Sequence, residues 1–152
     1  MSDWQKYLKS AAGFLEIGLL DDASLELENI PPELRSHSDV FGLRVSIYMA
    51  AKKWEEAATV AEHLTKREPD ISQHWISYAY ATRRAESIPK AEAILLNALK
   101  SHPQEPMVHY NLACYAAQTG RTKEAKERLK SAISLDESYR AIAFDDLDLK
   151  SL

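Results

Sequence analysis

The sequence predicts an all-α protein built from four antiparallel helix pairs and a short C-terminal capping helix. Only four of its 152 residues are glycine, and alanine, leucine, glutamate and lysine, which favour helices, are abundant. Similar residue types recur at a spacing of 34 positions along most of the chain. Three prolines, Pro69, Pro103 and Pro106, fall between the repeated units, where a missing amide N–H does not interrupt a helix.

Several columns of residues share this period. A small-residue column contains Ala23, Ala57, Ala91 and Ala125. A ring column lies sixteen residues before it and contains Tyr7, Phe41, Trp75 and His109. A turn column lies five residues before the alanines and contains Gly18, Lys52, Glu86 and Gly120. Large residues spaced by three, four and seven mark one helical face, and small residues allow a second helix to approach closely. Each unit is therefore predicted to be two antiparallel helices joined by a short turn.

The predicted helix pairs follow the columns in chain order: 3–16 with 20–29, 39–51 with 54–66, 72–85 with 88–100, and 106–118 with 122–134. In the first pair, Tyr7, Ala11 and Phe14 share a face. In the third pair, Ser87 is expected to be an N-cap, with Pro89 in the first turn. In the fourth pair, Gly120 is expected to end a helix in the left-handed conformation.

The last fifteen residues predict a cap. Tyr139, Ile142 and Ala143 stand at helical spacing, enough for about two turns, and such a short helix needs tertiary support. We expect Tyr139 and Ile142 to seal the open edge of the fourth unit. The apolar side chains beyond them, Phe144, Leu147 and Leu149, are expected to pack against its helices, while the aspartates stay in water.

The units resemble tetratricopeptide repeats (TPRs). The fourth is most similar and matches the family pattern at Asn111, Leu112, Ala113, Ala116, Gly120, Glu124, Ala125, Ala132, Ile133 and Leu135. The second matches at Tyr48, Trp54, Glu56, Ala57 and Pro69, and the third at Trp75, Ala79, Ala91, Ala98 and Pro103. The first diverges most, because Ile30-Pro31-Pro32 ends its second helix early and Arg35 replaces the usual proline. The ending also resembles the acidic D-x-D-L stretch that closes many bacterial TPR proteins.

This resemblance implies a right-handed superhelix that forms a single domain over residues 1–152. The repeats would span about 4–37, 38–71, 72–105 and 106–137, with a cap and tail at 138–152. An end repeat that diverges is expected, because it has a neighbour on one side only.

Composition narrows the class of protein. A net charge of −4 and a pI near 5.7 disfavour general nucleic-acid binding. The basic pairs Lys52-Lys53 and Arg83-Arg84 are better explained as solvated helix ends. No apolar run is long enough for a membrane helix, and the first ten residues lack the pattern of a secretory signal. With a single cysteine as well, we expect a cytoplasmic protein.

The sequence predicts no enzyme, cofactor or metal site. The five histidines are scattered without the spacing of a zinc site, and no glycine-rich phosphate loop exists. His109 and Cys114 lie five apart on one predicted helix, which does not bring them together, so His109 is expected to be a core residue. A Cys–His dyad remains the minor alternative. The C-terminal aspartates lack the central glycine and distal glutamate of a calcium loop.

The TPR resemblance implies a concave groove lined by the first helix of each pair. The inward positions would be Gln5, Leu8, Ala12 and Leu15; Asp39, Gly42, Ser46 and Met49; Gln73, Ile76, Tyr80 and Arg83; and Met107, Tyr110, Cys114 and Ala117. Most are apolar or aromatic, and such a patch often marks an interaction site. The residues expected to bind a partner are Leu8, Leu15, Met49, Ile76, Tyr80, Arg83, Met107, Tyr110 and Cys114.

The expected function is that of a scaffold or adaptor that binds a peptide or helix of an unidentified protein partner. Ile76, Tyr80 and Tyr110 would anchor the partner, with Arg83 fixing its polarity. The basic clamp that some TPR proteins use for chaperone tails is absent, because its positions hold Leu8, Ala12, Leu43, Gln73 and Ser77. The alternative is a self-associating structural or regulatory subunit of a larger complex, such as a homodimer, that binds no peptide itself. A third possibility is that another part of the same chain covers the groove.

Overall fold

The computed structural model describes residues 3–152, and these form helices joined by turns, with no β-strand among them. The four pairs are α1 (Gln5–Glu16) with α2 (Leu20–Leu27), α3 (Ser38–Ala50) with α4 (Trp54–Arg67), α5 (Ser72–Ala85) with α6 (Ile88–Ala98), and α7 (Pro106–Gln118) with α8 (Thr122–Leu135). Helix α9 (Tyr139–Asp145) follows, and short 3₁₀ turns lie at Pro32–Leu34 and Leu147–Leu149. The predicted all-α fold is confirmed, with helix ends within two residues of those expected.

The small-residue column explains how the helices of each pair pack. All four of its alanines are fully buried. A methyl side chain at this position lets the two helix axes approach each other closely. The 34-residue period in the sequence therefore corresponds to a repeated packing contact.

The core is a series of apolar clusters along the array, as expected for stacked repeats. The first joins α1, α2 and α3 around Ala11, Leu27, Ile30, Val40 and Ile47. A smaller cluster joins α3 and α4 around Val45, Ala61 and Leu64. The next joins α5, α6 and α7 around Ile76, Leu95, Val108, Leu112 and Tyr115. The last joins α7 and α8 to the C-terminal segment around Tyr110, Cys114, Ala132, Tyr139 and Leu149.

Three members of the turn column have a left-handed backbone. Gly18 and Gly120 have φ values of 82° and 78°, and Lys52 has a φ of 59°. This conformation ends the first helix of the first, second and fourth pairs and is unstrained for glycine, whereas Glu86 in the third pair has a φ of −131°. Lys52 is thus a non-glycine residue in a position that favours glycine.

The ring column anchors the third and fourth units to the loops that precede them by hydrogen bonds. Trp75 donates from Nε1 to the carbonyl of Pro69 at 3.0 Å. His109 makes the equivalent bond one repeat later, with Nε2 2.8 Å from the carbonyl of Pro103. The ring of His109 is only partly buried, although its Nδ1 is enclosed. Its role is to fix the loop before α7.

Arg35 explains why the divergent first unit closes without its usual proline. Its Nε donates to the carbonyl of Ile30 at 2.8 Å, and its Nη2 donates to that of Glu28 at 2.7 Å. These bonds satisfy carbonyls left free where α2 ends early.

No helix in residues 3–152 combines the length and apolar character needed to cross a membrane.

Candidate functional site

The groove is defined here as the face formed by the inward positions of α1, α3, α5 and α7. Its sequence-predicted binding residues differ in accessibility. Leu8, Leu15, Met49 and Arg83 are half-buried, and Tyr80 and Met107 are exposed, whereas Ile76, Tyr110 and Cys114 are buried. The α7 end of the groove is therefore covered, and its cover is part of the same chain.

The cover is the C-terminal tail, defined as residues 146–152. After α9 the backbone becomes extended at Asp146, and the 3₁₀ turn Leu147–Leu149 then lies against α7. Leu149 is buried in the cluster that contains Tyr110 and Cys114. Gln118, at the end of α7, donates from Nε2 to the carbonyl of Asp148 at 3.0 Å.

Asp146 is bound by side chains of α7. The hydroxyl of Tyr110 donates a hydrogen bond to its Oδ2, and the Cys114 thiol lies 3.7 Å from the same oxygen. Its Oδ1 accepts the backbone N–H of Asp148 at 2.9 Å and so caps the 3₁₀ turn. One carboxylate therefore both shapes the tail and attaches it to the groove.

Asp148 is bound by Arg83 from the neighbouring repeat. The guanidinium donates from Nη1 to Oδ2 at 2.8 Å and from Nη2 to Oδ1 at 3.1 Å. Such a bidentate pair is among the stronger polar contacts in proteins. Arg83 also lies over the ring of Tyr115, with 5.5 Å between its Cζ and the ring centroid. The hydrogen bonds to Asp148 raise the pKa of Arg83.

The groups around Asp146 stay protonated and act as donors. Burial, and then the Asp146 charge, raise the pKa of the Cys114 thiol to about 12. Burial, and then the hydrogen bond to Asp146, raise the pKa of Tyr110 above its ordinary value. A protonated thiol and a protonated phenol can both donate hydrogen bonds to a carboxylate, so this site is suited to binding one.

Three residues at this end of the groove also have the side-chain types of a metal site. Ligand atoms of Cys114, Asp146 and Asp148 lie within 4.8 Å of one another. All four carboxylate oxygens nevertheless have protein donors: Tyr110 and the Asp148 amide on Asp146, and the guanidinium of Arg83 on Asp148. The donor set fits recognition of two carboxylates by the protein itself better than it fits a cation.

A cavity of about 240 Å³ remains between the tail and the groove. Its walls include Tyr80, Arg84 and Asn111 besides the groups that hold the tail. The Arg84 guanidinium lies 3.5 Å from the centroid of the Tyr80 ring and 5.3 Å from that of Trp54. Within residues 3–152, no carboxylate forms an ion pair with Arg84.

Comparisons with known proteins agree on the architecture. No family model and no curated protein matches the chain. Among solved structures, MamA 41-end from Desulfovibrio magneticus RS-1 has a TM-score of 0.78 and 16% identity, covering 90% of this chain and 77% of that one. A thermophilic TPR protein from Thermus thermophilus has a TM-score of 0.74 and 17% identity, covering 93% and 80%. This chain has the TPR fold.

The expected packing of the tail against the last TPR unit is wrong at several residues. Leu149 is buried as expected, but Leu147 and Phe144 are 73% and 91% exposed. Asp146 and Asp148, expected in water, are half-buried and hydrogen bonded. The expected pattern holds at Leu149 but is reversed at the other four of these positions, because the inner side of the tail meets donors on α5 and α7.

The cap of the fourth TPR agrees with expectation only in part. Tyr139 is buried, and its ring centroid lies 5.0 Å from that of Tyr110. Ile142, expected to seal the same edge, is half exposed, since α9 presents only one side to α8. Asp146, Asp148 and Gln118 were not identified as site residues from the sequence. The D-x-D-L ending was the one signal that pointed to the two aspartates, and no signal pointed to Gln118.

Proposed function

We propose that this protein is an interaction scaffold whose TPR groove binds a peptide or helix of a partner protein. The observation that supports this is the tail, because a short segment with two carboxylates and a leucine is held in the groove by side chains of two repeats. A surface that binds its own segment this way has the chemistry to bind another. We propose no catalytic activity, and in the described residues the groups suggested for a Cys–His dyad have other hydrogen-bond partners.

The part of the groove outside the tail offers a further apolar surface. Tyr80 and Met107 are 41% and 37% exposed on α5 and α7. Leu8, Leu15 and Met49 continue the surface on α1 and α3, each partly exposed. A partner segment would pack on these side chains, with the guanidinium of Arg84 stacked beside Tyr80 at one edge.

The test compares two alanine variants of matched exposure. Tyr80→Ala removes a groove side chain, and Leu96→Ala removes one on α6 with 42% exposure on the outer face. Tagged wild-type protein and both variants are isolated from the source cells, and co-purifying proteins are quantified by mass spectrometry. We expect a partner that is lost with Tyr80→Ala and kept with Leu96→Ala, at unchanged helicity. Identical sets of bound proteins for all three would contradict binding in the groove.

A specific observation also supports the second candidate, self-association. Ile142, Phe144 and Leu147 are exposed apolar side chains at the C-terminal end of the array. A second copy could cover these side chains, and the protein would then be a structural subunit. Light scattering across a concentration series distinguishes the two, since Phe144→Ser should convert such a dimer to a monomer.

A further inference from the structure

We propose that the Arg83–Tyr110 end of the groove recognises acidic D-x-D-Leu segments of a partner protein, and that the chain's own tail is the resident competitor. This inference rests on the proposed function and names the partner's chemistry. The residues concerned are Asp146, Asp148 and Leu149 on the tail, opposite Arg83 and Tyr110.

Recognition would be specific because each acidic position has separate donors. The first carboxylate is bound by the Tyr110 hydroxyl, with the Cys114 thiol beside it. The second carboxylate forms a bidentate pair with Arg83 from the adjacent repeat. Two donor groups on different helices fix both the spacing and the direction of the segment. Asparagine at either position would leave donors poorly matched.

The two remaining positions of the motif have opposite requirements. Leu149 is 6% exposed and packs among apolar residues of α7 and α8, so the last position must be apolar. Leu147 is largely exposed, so the second position of the motif, between the two aspartates, is unconstrained. The motif is an internal one, since Lys150, Ser151 and Leu152 follow it. It therefore differs from capture of a terminal carboxylate.

The tail is suited to being displaced. The contacts that hold it come from few residues, chiefly Asp146, Asp148 and Leu149, while Phe144, Leu147 and Lys150 are exposed. The side chains of the ion pair retain 22% and 30% of their exposure. A tethered segment competes at an effective concentration on the order of millimolar, so a partner must bind more tightly than the tail. Arg84, which has no carboxylate partner in residues 3–152, is available to an extra acidic residue of such a partner.

The experiment uses the full chain with Asp146→Asn and Asp148→Asn, which keep the shape of the tail but remove its charges. A fluorescein-labelled peptide AFDDLDLKSL, matching residues 143–152, is titrated and followed by anisotropy. We expect binding at least about tenfold tighter than to wild type, because the internal competitor is weakened. Adding Arg83→Gln to this variant, or asparagine at both motif positions of the peptide, should abolish binding. Asp145→Asn alone, at an exposed position, is the matched control and should behave as wild type.

Thiol labelling of Cys114 monitors whether the tail leaves the groove. A double-asparagine variant in which Cys114 stays as protected as in wild type would overturn the proposal, because the carboxylates would not be holding the tail. Release of the tail without peptide binding, or equal binding of the asparagine peptide, would also overturn it. A wild-type dimer that dissociates on Asp148→Asn would assign the site to a second copy instead. If the peptide titration fails but a co-purifying partner is still lost with Tyr80→Ala, only this inference is refuted and the proposed function stands.

Discussion

Arg83 and Asp148 form a bidentate ion pair between residues 65 positions apart, with N–O distances of 2.8 and 3.1 Å. The contact joins the end of α5 to the C-terminal tail across the face of α7. It links the third and fourth repeats through a segment that belongs to neither. The tail is thereby both a structural cover for the last repeat and an occupant of the groove.

Removing the charge of Asp148 should lower stability modestly. Asp148→Asn leaves Arg83 without its two charge-assisted bonds, and we expect a loss of about 1 kcal/mol in the free energy of unfolding, since the pair is only partly buried. Urea denaturation followed by circular dichroism measures this. The neighbouring Asp145→Asn should have almost no effect, and equal losses for both variants would contradict the role of the pair.

Alanine substitutions at two leucines of the tail should have very different effects on stability. Leu149→Ala removes a buried side chain from the last core cluster and should cost about 2–3 kcal/mol. Leu147→Ala, two residues earlier and 73% exposed, should stay within about 0.5 kcal/mol of wild type. Thermal melts of both variants test the placement of the tail. A larger effect at Leu147 would mean that the tail packs in the opposite sense.

Cys114 should report on the position of the tail. Burial raises its pKa to about 12, so at pH 8 almost no thiolate forms and reaction with a disulfide reagent should be slow. Asp148→Asn should speed the reaction about fivefold, as a loss of about 1 kcal/mol allows, by letting the tail open more often. The rate is followed by absorbance, with the urea-unfolded protein as the upper reference. A fast reaction of wild type would show that the tail does not protect the thiol.

Stability should decline at alkaline pH. The pKa of Cys114 rises from its ordinary value of 9.0 to about 12, and burial raises that of Tyr115 from 10.0 to about 12. Groups with raised pKa values stabilise the fold fully below the unfolded values, and this contribution is lost as pH rises from about 9 to 12. Urea melts between pH 7 and 11 measure it. Cys114→Ala should be less stable at pH 7, and its deficit should narrow above pH 9. A constant deficit would contradict the raised pKa.

Glycine should be favourable at the turn after α3. Lys52 has a φ of 59° at the repeat position where Gly18 and Gly120 are also left-handed. Lys52→Gly should therefore raise the free energy of unfolding by about 0.5–1 kcal/mol. The control is Lys53→Gly, where φ is −90° and glycine should be neutral or destabilising. Stabilisation by both substitutions would show that the backbone geometry is not the cause.

The repeat architecture could be predicted from the sequence because it is encoded locally. The alanine column, the ring column and the turn residues recur at one spacing, and helix ends follow from residues a few positions away. The same reasoning identified Tyr139 as part of the cap, since its spacing placed it on the inner face of a short helix.

The site could be predicted only in part. Arg83 and Tyr110 were identified as groove residues from their repeat positions, but Cys114 and Tyr110 proved to be covered. The cover depends on contacts between residues 30 or more positions apart, such as Gln118 with Asp148. No periodic pattern encodes a contact of this kind.

The sequence by itself thus determined the helices, their pairing and the repeat, because neighbouring side chains at fixed spacing specify them. Only the tertiary structure decided which face of the tail is buried. Alternating apolar and acidic residues predict leucines inside and aspartates outside when the surroundings are apolar. Here the surroundings include Arg83 and Tyr110, whose hydrogen bonds compensate for the loss of water around the two carboxylates.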